Sequence, residues 1–167
     1  CINYLSRYLP RLASVSEPLR QLTEKDAIFV WQSSQEESFQ QIKEMLISAP
    51  VLKYYDLTQE VTIQSDASEY GLGGTIMQNG QPVAFASRAL TKTEQNFAQI
   101  EKEALAIVFS CERFNQYIHG RELVTVNTDH KPLVPIFKKS IHQAPKRLQR
   151  MILRLQNNIL HAVTKFV

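Results

Sequence analysis

The first third of the chain has apolar residues at the spacing of short helices. Ser16-Glu17-Pro18 can open one helix, because proline is favoured in the first helical turn. A second helix is predicted to begin at Ser34, which Glu37 follows in the capping-box pattern. The apolar positions of this second helix recur every three or four residues and are Phe39, Ile42, Met45 and Leu46.

The remainder of the chain changes to a pattern of strands and longer helices. Residues 61–66 alternate between apolar and polar, which is the period of a β-strand. Asn79-Gly80 lies between two further β-like runs and predicts a hairpin, because both residues tolerate positive φ. We also expect one long amphipathic helix over residues 94–118, ended by Gly120, then a strand over residues 123–126 and a last helix that begins at Pro145.

This order of elements predicts an α/β fold with a mixed sheet and packed helices. The hairpin beside the first strand gives three antiparallel strands, and the strand–helix–strand crossover adds a fourth strand in parallel. We therefore predict two parts, a small and mainly helical segment over residues 1–55 and an α/β domain over residues 56–167.

The composition is that of a globular protein, with 167 residues of which 44% are hydrophobic. No apolar run approaches the roughly 20 residues that a membrane helix needs. Polar residues, among them Asn3 and Arg7, interrupt the apolar start, so no signal peptide is predicted. We expect an intracellular location and no membrane partner. The two cysteines, Cys1 and Cys111, predict neither a disulfide framework nor a zinc site.

The charges are unevenly distributed, although the net charge is only +3. No Asp or Glu follows Asp129, whereas the last predicted helix carries Lys146, Arg147, Arg150 and Arg154. A segment whose charged residues are all positive, next to acidic residues, suits a polyanionic partner such as nucleic acid. A solvated basic helix face would explain the same charges.

Three acidic residues lie where a mixed sheet can bring them together. Asp66 ends the first predicted strand, Glu103 lies on the long helix, and Asp129 follows the fourth strand. Clustered carboxylates repel one another unless a cation neutralises them, and Mg²⁺ favours oxygen ligands. Each acid also has a structural explanation when it is taken singly. Asp66 could belong to a turn at the end of a strand, Glu103 could be an exposed acid of the helix, and Asp129 could cap a short helix.

Five motifs follow one another along the chain. They are Ile63-Gln64-Ser65-Asp66-Ala67-Ser68, Pro82-Val83-Ala84-Phe85-Ala86-Ser87-Arg88, Ile100-Glu101-Lys102-Glu103-Ala104-Leu105, Thr128-Asp129-His130-Lys131-Pro132-Leu133 and Arg147-Leu148-Gln149-Arg150. In residues and in order, they resemble the ribonuclease H of gypsy-class LTR retrotransposons. The resemblance extends from about residue 56 to residue 156. The first part of the chain is similar to the connection between polymerase and nuclease in these polyproteins, for example at Glu17-Pro18-Leu19 and Phe29-Val30-Trp31.

The resemblance implies a metal-dependent endonuclease that cuts the RNA strand of an RNA/DNA hybrid. Asp66, Glu103 and Asp129 would be its catalytic residues and the ligands of Mg²⁺ or Mn²⁺. Glu103 is preferred over its neighbour Glu101, because Glu103 directly precedes an apolar run, as the family's acid does.

The resemblance also implies partners for this chain. The four basic residues of the last helix, Lys146, Arg147, Arg150 and Arg154, would hold substrate phosphates. An RNA-directed DNA polymerase would lie upstream in the parent polyprotein. No Tyr-x-Asp-Asp occurs in this chain, which is therefore not expected to synthesise DNA.

After Gln156 the chain departs from the family pattern. The family continues with a final strand, a Pro-Gly turn and an Asp at the start of a last helix, whereas no acid follows Asp129 here. We therefore expect the last strand and helix of the fold to be missing, together with the fourth carboxylate. Reduced or absent cleavage and marginal stability would follow. The alternative function is an inactive retroelement remnant that binds nucleic acid or serves as a structural module.

Overall fold

The computed structural model describes residues 6, 8–48, 51–130, 132–138, 144–158 and 163–166. The N-terminal helices are α1 (Leu12–Val15), α2 (Glu17–Gln21) and α3 (Ser33–Ile47). The strands are β1 (Val61–Ala67), β2 (Gly71–Gln78), β3 (Gln81–Ala89), β4 (Leu123–Asn127) and β5 (Val163–Phe166). Between β3 and β4 lie α4 (Lys92–Gln95), α5 (Gln99–Arg113) and α6 (Asn115–Ile118), and between β4 and β5 lie α7 (Leu133–Lys138) and α8 (Lys146–Asn158).

The strands form one mixed sheet in the order β3-β2-β1-β4-β5. β1, β2 and β3 pair in antiparallel fashion, and β4 pairs with β1 in parallel. The α/β fold predicted from the element order, with three antiparallel strands and a parallel crossover strand, is thus confirmed. The predicted hairpin turn is confirmed too, because Asn79 and Gly80 have φ of 51° and 75°.

The prediction that the last strand of the fold is missing is wrong. Residues Val163–Phe166 form β5, which pairs in parallel with β4 and places Val163 opposite Leu123. Without β5, the outer edge of β4 would leave its backbone donors and acceptors unpaired. Valine, threonine and phenylalanine favour the extended conformation, so this short segment can supply the partner that the edge of β4 requires.

The single helix predicted over residues 94–118 is divided into α4, α5 and α6, and acids cap the first two of these helices. The Glu94 carboxylate accepts a hydrogen bond from the backbone N–H of Thr91 at the start of α4. The Glu101 carboxylate accepts one from the N–H of Ala98, whose extended backbone interrupts the helix before α5. Periodicity alone does not show that these acids turn back to cap a helix.

The pair of Glu94 and Arg88 fixes α4 on the end of β3. Both guanidinium nitrogens of Arg88 donate to the Glu94 carboxylate, at 2.7 and 2.8 Å. These hydrogen bonds lower the pKa of Glu94 to about 2, so the carboxylate is ionised throughout the neutral range.

The capping box predicted at the start of α3 is shifted by two residues. The helix begins at Ser33, and the side chain of Gln35 accepts a hydrogen bond from the N–H of Gln32. The helix opened by Pro18 is confirmed as α2. The division of the chain at residue 56 remains a prediction.

The main core lies between the sheet and α5. The inward face of α5 includes Ala104, Ile107, Val108 and Cys111, all 0% exposed. α8 covers the other side of α5 with Leu148, Met151 and Leu155. A second, smaller cluster in the N-terminal segment consists of Leu9, Leu12 and Ile42, and α1 packs against β2 and β3.

The packing of β2 against α5 gives a test of this core. A Cβ at Gly74 would collide with the hydroxyl of Ser110 and lie 3.0 Å from its Cβ, whereas a Cβ at Gly73 would meet nothing closer than 3.8 Å. We expect Gly74→Ala to lower the free energy of unfolding by about 1–3 kcal/mol, because an overpacked core must shift. Gly73→Ala is the matched control and should change stability little. Equal effects of the two substitutions in urea denaturation would contradict the close approach of α5 to β2.

Candidate active site

The parallel register of β1 and β4 places two carboxylates side by side. Gln64 lies opposite Asn127, the last residue of β4. Asp66 follows Gln64 by two residues within β1, and Asp129 follows Asn127 by two residues in the bend after β4. The parallel pairing therefore brings both aspartates to the same end of the sheet. Gly73 lies opposite Asp66 on β2 and adds no side chain that would crowd the carboxylate.

The third carboxylate, Glu103, comes from the first turns of α5. Its side chain is held by Gln99, one helical turn earlier, whose Nε2 donates to Glu103 Oε1 at 2.7 Å. The same Gln99 Nε2 lies 3.2 Å from the carbonyl oxygen of Ala67, at the end of β1. Gln99 therefore joins the helix to the strand that carries Asp66.

Asp66, Glu103 and Asp129 form one cluster. Each offers a carboxylate oxygen, and these three oxygens lie within 4.8 Å of one another. Asp66 is half-buried, Asp129 is exposed, and Glu103 is only 5% exposed. The structure thus brings together the three acids proposed from the sequence. Because Glu103 is buried, it is not one more exposed acid of the helix, which was the structural alternative for this residue.

Without a bound cation, the Glu103 carboxyl loses its proton less readily than an ordinary glutamic acid does. Burial raises the pKa of Glu103 to about 7, and repulsion by Asp129 and Asp66 adds to the rise, while the hydrogen bond from Gln99 and a weaker interaction with the backbone of Ala67 oppose it. Its second oxygen, Oε2, is buried and has no hydrogen-bond partner among the described residues. A buried carboxylate oxygen without a partner is costly unless a ligand or a cation satisfies it.

The donor set fits a hard divalent cation. Three carboxylates offer oxygen ligands and negative charge, as Mg²⁺ and Mn²⁺ prefer. A bound cation would also offset the burial of the Glu103 carboxylate, whose Oε2 has no hydrogen-bond partner among the described residues. The residues present therefore suit a divalent metal.

A cation from the N-terminal segment already contacts this cluster. Arg11 forms an ion pair with Asp66, and its guanidinium Nη2 donates to Asp66 Oδ2. A groove of about 530 Å³ opens beside the pair, lined by Pro10, Arg11, Gln64, Ser65, Asp66, Gly73, Gly74, Thr75, Asn127, Thr128 and Asp129. Neither Arg11 nor Gln99 was found from the sequence. An isolated arginine or glutamine carries no motif, and only the fold shows what each contacts.

The basic residues of α8 fall into two groups. Arg147 donates to both oxygens of Glu101, at 2.8 and 2.7 Å, and lies over the ring of Phe97. Arg154 likewise pairs with Glu112 on α5. Lys146 and Arg150 are exposed.

The ion pair with Arg147 also explains why Glu101 is not a member of the carboxylate cluster. Its carboxylate caps α5 and faces α8. Glu103 therefore lies in the cluster and Glu101 does not, while the role of Glu103 as a metal ligand remains a prediction.

Residues 31–126 match the family model of the RNase H-like domain found in reverse transcriptase. This match covers more than half of the chain. Within the described residues, no helix is long and apolar enough to span a lipid bilayer.

Among curated proteins, the chain is similar to the transposon Tf2-3 polyprotein of Schizosaccharomyces pombe. The two are 30% identical over 162 residues, which are 93% of this chain and 12% of the polyprotein. The chain thus spans about an eighth of the length of this relative.

Two solved structures share the fold at low sequence identity. A foamy viral protease-reverse transcriptase in complex with RNA/DNA hybrid is 19% identical, with a TM-score of 0.74, covering 99% of this chain and 23% of that one. LC11-RNase H1 in complex with RNA/DNA hybrid is 13% identical, with a TM-score of 0.52, covering 65% of this chain and 85% of that one.

The raised pKa of Glu103 predicts a pH-dependent stability. The folded protein binds this proton more tightly than the unfolded chain, whose pKa is 4.5. The stabilisation by the protonated carboxyl is therefore complete below pH 4.5 and is lost as the pH rises through 7. We expect Glu103→Gln in EDTA to be more stable than the wild type at pH 8, by on the order of 3 kcal/mol, and equally stable at pH 4.

Denaturant unfolding between pH 4 and pH 8 measures this difference. Glu69→Gln, the same change at an exposed position just after β1, is the matched control and should show no such dependence on pH. A difference between Glu103→Gln and the wild type that stays constant with pH would contradict the buried carboxyl.

Proposed function

Because this chain belongs to the family of RNase H-like domains found in reverse transcriptase, we propose that it is a metal-dependent endonuclease that hydrolyses the RNA strand of RNA/DNA hybrids. The observation that carries this proposal is the convergence of Asp66, Glu103 and Asp129, in which a buried carboxylate oxygen of Glu103 has no hydrogen-bond partner within the described part of the chain. Three carboxylates at one site suit a hard cation far better than they suit any role in packing.

RNase H-like folds generally use divalent metal ions, and we propose Mg²⁺ or Mn²⁺ for this one. Asp66, Glu103 and Asp129 would be its ligands. Divalent ions bound at such a site supply Lewis-acid chemistry, which activates water and stabilises the leaving oxygen in phosphodiester hydrolysis.

The contribution of the chain itself is to fix the ligand oxygens. Asp66 lies near the end of β1 and Asp129 two residues after the end of β4, so the pairing of these strands brings the two carboxylates together. Glu103 is held by Gln99 on a helix that packs directly on β1. Ligands on rigid elements need little reorganisation when a cation or substrate binds.

The proposed substrate is a polyanion, and α8 offers exposed cations for it. Lys146 and Arg150 are exposed, whereas the charges of Arg147 and Arg154 are partly neutralised by Glu101 and Glu112. Phosphate contacts position a nucleic acid without reading its sequence. RNA would be distinguished from DNA by its 2′-hydroxyl groups and by the shape of the groove.

We also propose the context in which this domain works. The similarity to a retrotransposon polyprotein and to a viral protease-reverse transcriptase supports a parent protein that carries an RNA-directed DNA polymerase upstream. Residues 1–55 would then be the connection to that polymerase, and residues 56–167 the ribonuclease H-like domain.

The first test is cleavage of a hybrid labelled on its RNA strand, in Mg²⁺ and in Mn²⁺. We expect Asp66→Asn to reduce the cleavage rate by at least about 100-fold, since a lost carboxylate removes charge stabilisation that the reaction needs. Asp26→Asn, the same change at an exposed acid of the N-terminal segment, should cleave like the wild type. Cleavage that survives in Asp66→Asn, or that needs no divalent metal, would overturn the proposal.

The two groups of basic residues on α8 predict different phenotypes. Lys146→Ala and Arg150→Ala should each weaken hybrid binding and lower the slope of log K against log salt by about one, as expected for one lost phosphate contact. Arg147→Ala and Arg154→Ala should instead lower the free energy of unfolding, because each removes a contact between α8 and α5. Fluorescence anisotropy and thermal denaturation separate the two effects. If only Arg147→Ala and Arg154→Ala weakened hybrid binding, Lys146 and Arg150 would not be contacts of the substrate.

A further inference from the structure

Arg11 reaches the carboxylate cluster from a part of the chain that precedes the sheet. It lies 55 residues before Asp66, with which it forms an ion pair. Its side chain is 70% exposed and that of Asp66 is 35% exposed, so the pair lies at the mouth of the groove rather than in the core. Because the Arg11 side chain is mostly exposed, it adds little to packing at the groove. What it contributes is its positive charge and its N–H hydrogen-bond donors.

The packing of the N-terminal segment holds the backbone of Arg11 in place. Leu9 and Leu12, on either side, are 0% and 2% exposed and anchor the chain in the smaller core cluster. Arg11 itself has a φ of 53°, a left-handed conformation that residues other than glycine seldom adopt.

The next turn attaches the segment to the sheet. The Arg11 carbonyl accepts the N–H of Ser14 at 3.0 Å, and the hydroxyl of Ser14 lies 2.6 Å from that of Ser68, just after β1. The position of Arg11 beside Asp66 is therefore set by tertiary contacts on both sides of it.

The guanidinium group suits two different partners at this place. Its planar set of donors matches a carboxylate and a phosphate equally well. In the protein alone, it neutralises part of the charge that Asp66, Glu103 and Asp129 concentrate. A divalent cation on the same carboxylates would compete with Arg11 for Asp66 and repel its charge. The released side chain would still line the groove that leads to the carboxylates.

We propose that Arg11 is a substrate-positioning residue, which pairs with Asp66 in the cation-free protein and binds a backbone phosphate of the nucleic acid when a divalent ion holds Asp66. The inference rests on the proposed function, because it takes nucleic acid to be the ligand of the groove. It adds to that function a contact from outside the sheet, made by the N-terminal segment.

The first measurement is Mn²⁺ binding by calorimetry, which does not depend on cleavage. Arg11→Met removes the competing charge and should bind Mn²⁺ roughly two- to five-fold more tightly than the wild type, the size expected for one exposed ion pair. Arg11→Lys keeps the charge and should bind Mn²⁺ like the wild type. Lys25→Met, the loss of an exposed cation in the same segment, is the matched control and should have no effect.

The second measurement is binding of a labelled DNA duplex by anisotropy, since the proposed reaction does not cut DNA and phosphate contacts do not depend on the sugar. With Mn²⁺ present, Arg11→Met should lower the salt slope by about one, and in EDTA it should leave the slope unchanged, because Arg11 is then engaged by Asp66. Lys25→Met should leave both slopes unchanged.

An unchanged Mn²⁺ affinity in Arg11→Met would overturn the competition for Asp66. A slope that stays unchanged in Mn²⁺ would overturn the phosphate contact, even if Mn²⁺ bound more tightly. Both measurements can be made on a protein that binds nucleic acid but does not cut it. Failure of the proposed endonuclease activity is seen only in the cleavage assay. It can therefore be distinguished from failure of this inference.

Discussion

Gln64 lies opposite Asn127 in the parallel pairing of β1 with β4, and the candidate site depends on this register. A slip of one residue would move Asp66 relative to Asp129 and would turn the apolar residues of one strand away from the core, because side chains alternate. The register is set by the apolar residues of the same strands. Val61, Ile63, Val124 and Val126 are all buried at 1% exposure or less against the core, so core packing and site geometry are specified together.

The cluster built on this register is unfavourable in the protein alone. Two aspartates and the buried Glu103 repel one another, and the raised pKa of Glu103 reflects both burial and that repulsion. A bound cation would remove this repulsion. The proposed metal binding would therefore raise the free energy of unfolding. The ion pair of Arg11 with Asp66 offsets part of the repulsion in the absence of a metal.

Opposite charges also join the helices around the sheet, where they serve structure rather than chemistry. Arg147 and Arg154 attach α8 to acids of α5, and Arg88 attaches α4 to the end of β3 through Glu94. A count of basic residues on α8 therefore overstates the charge available to a nucleic acid. Lys146 and Arg150 are exposed and form no ion pair with the described residues, so their charges are the ones that would bind phosphates.

The sequence by itself determined the order of the elements, the mixed sheet, the Asn79-Gly80 turn and the three acids, because each depends on local periodicity, on backbone preference or on an ordered set of motifs. It did not show that capping by Glu101 would begin a new helix inside the predicted long one. Nor did it show that Val163–Phe166 would pair with β4, since a strand so short is specified by the edge it joins. The burial of Glu103, the support from Gln99 and the approach of Arg11 to Asp66 were decided only by the tertiary structure, because each joins residues whose proximity no local pattern encodes.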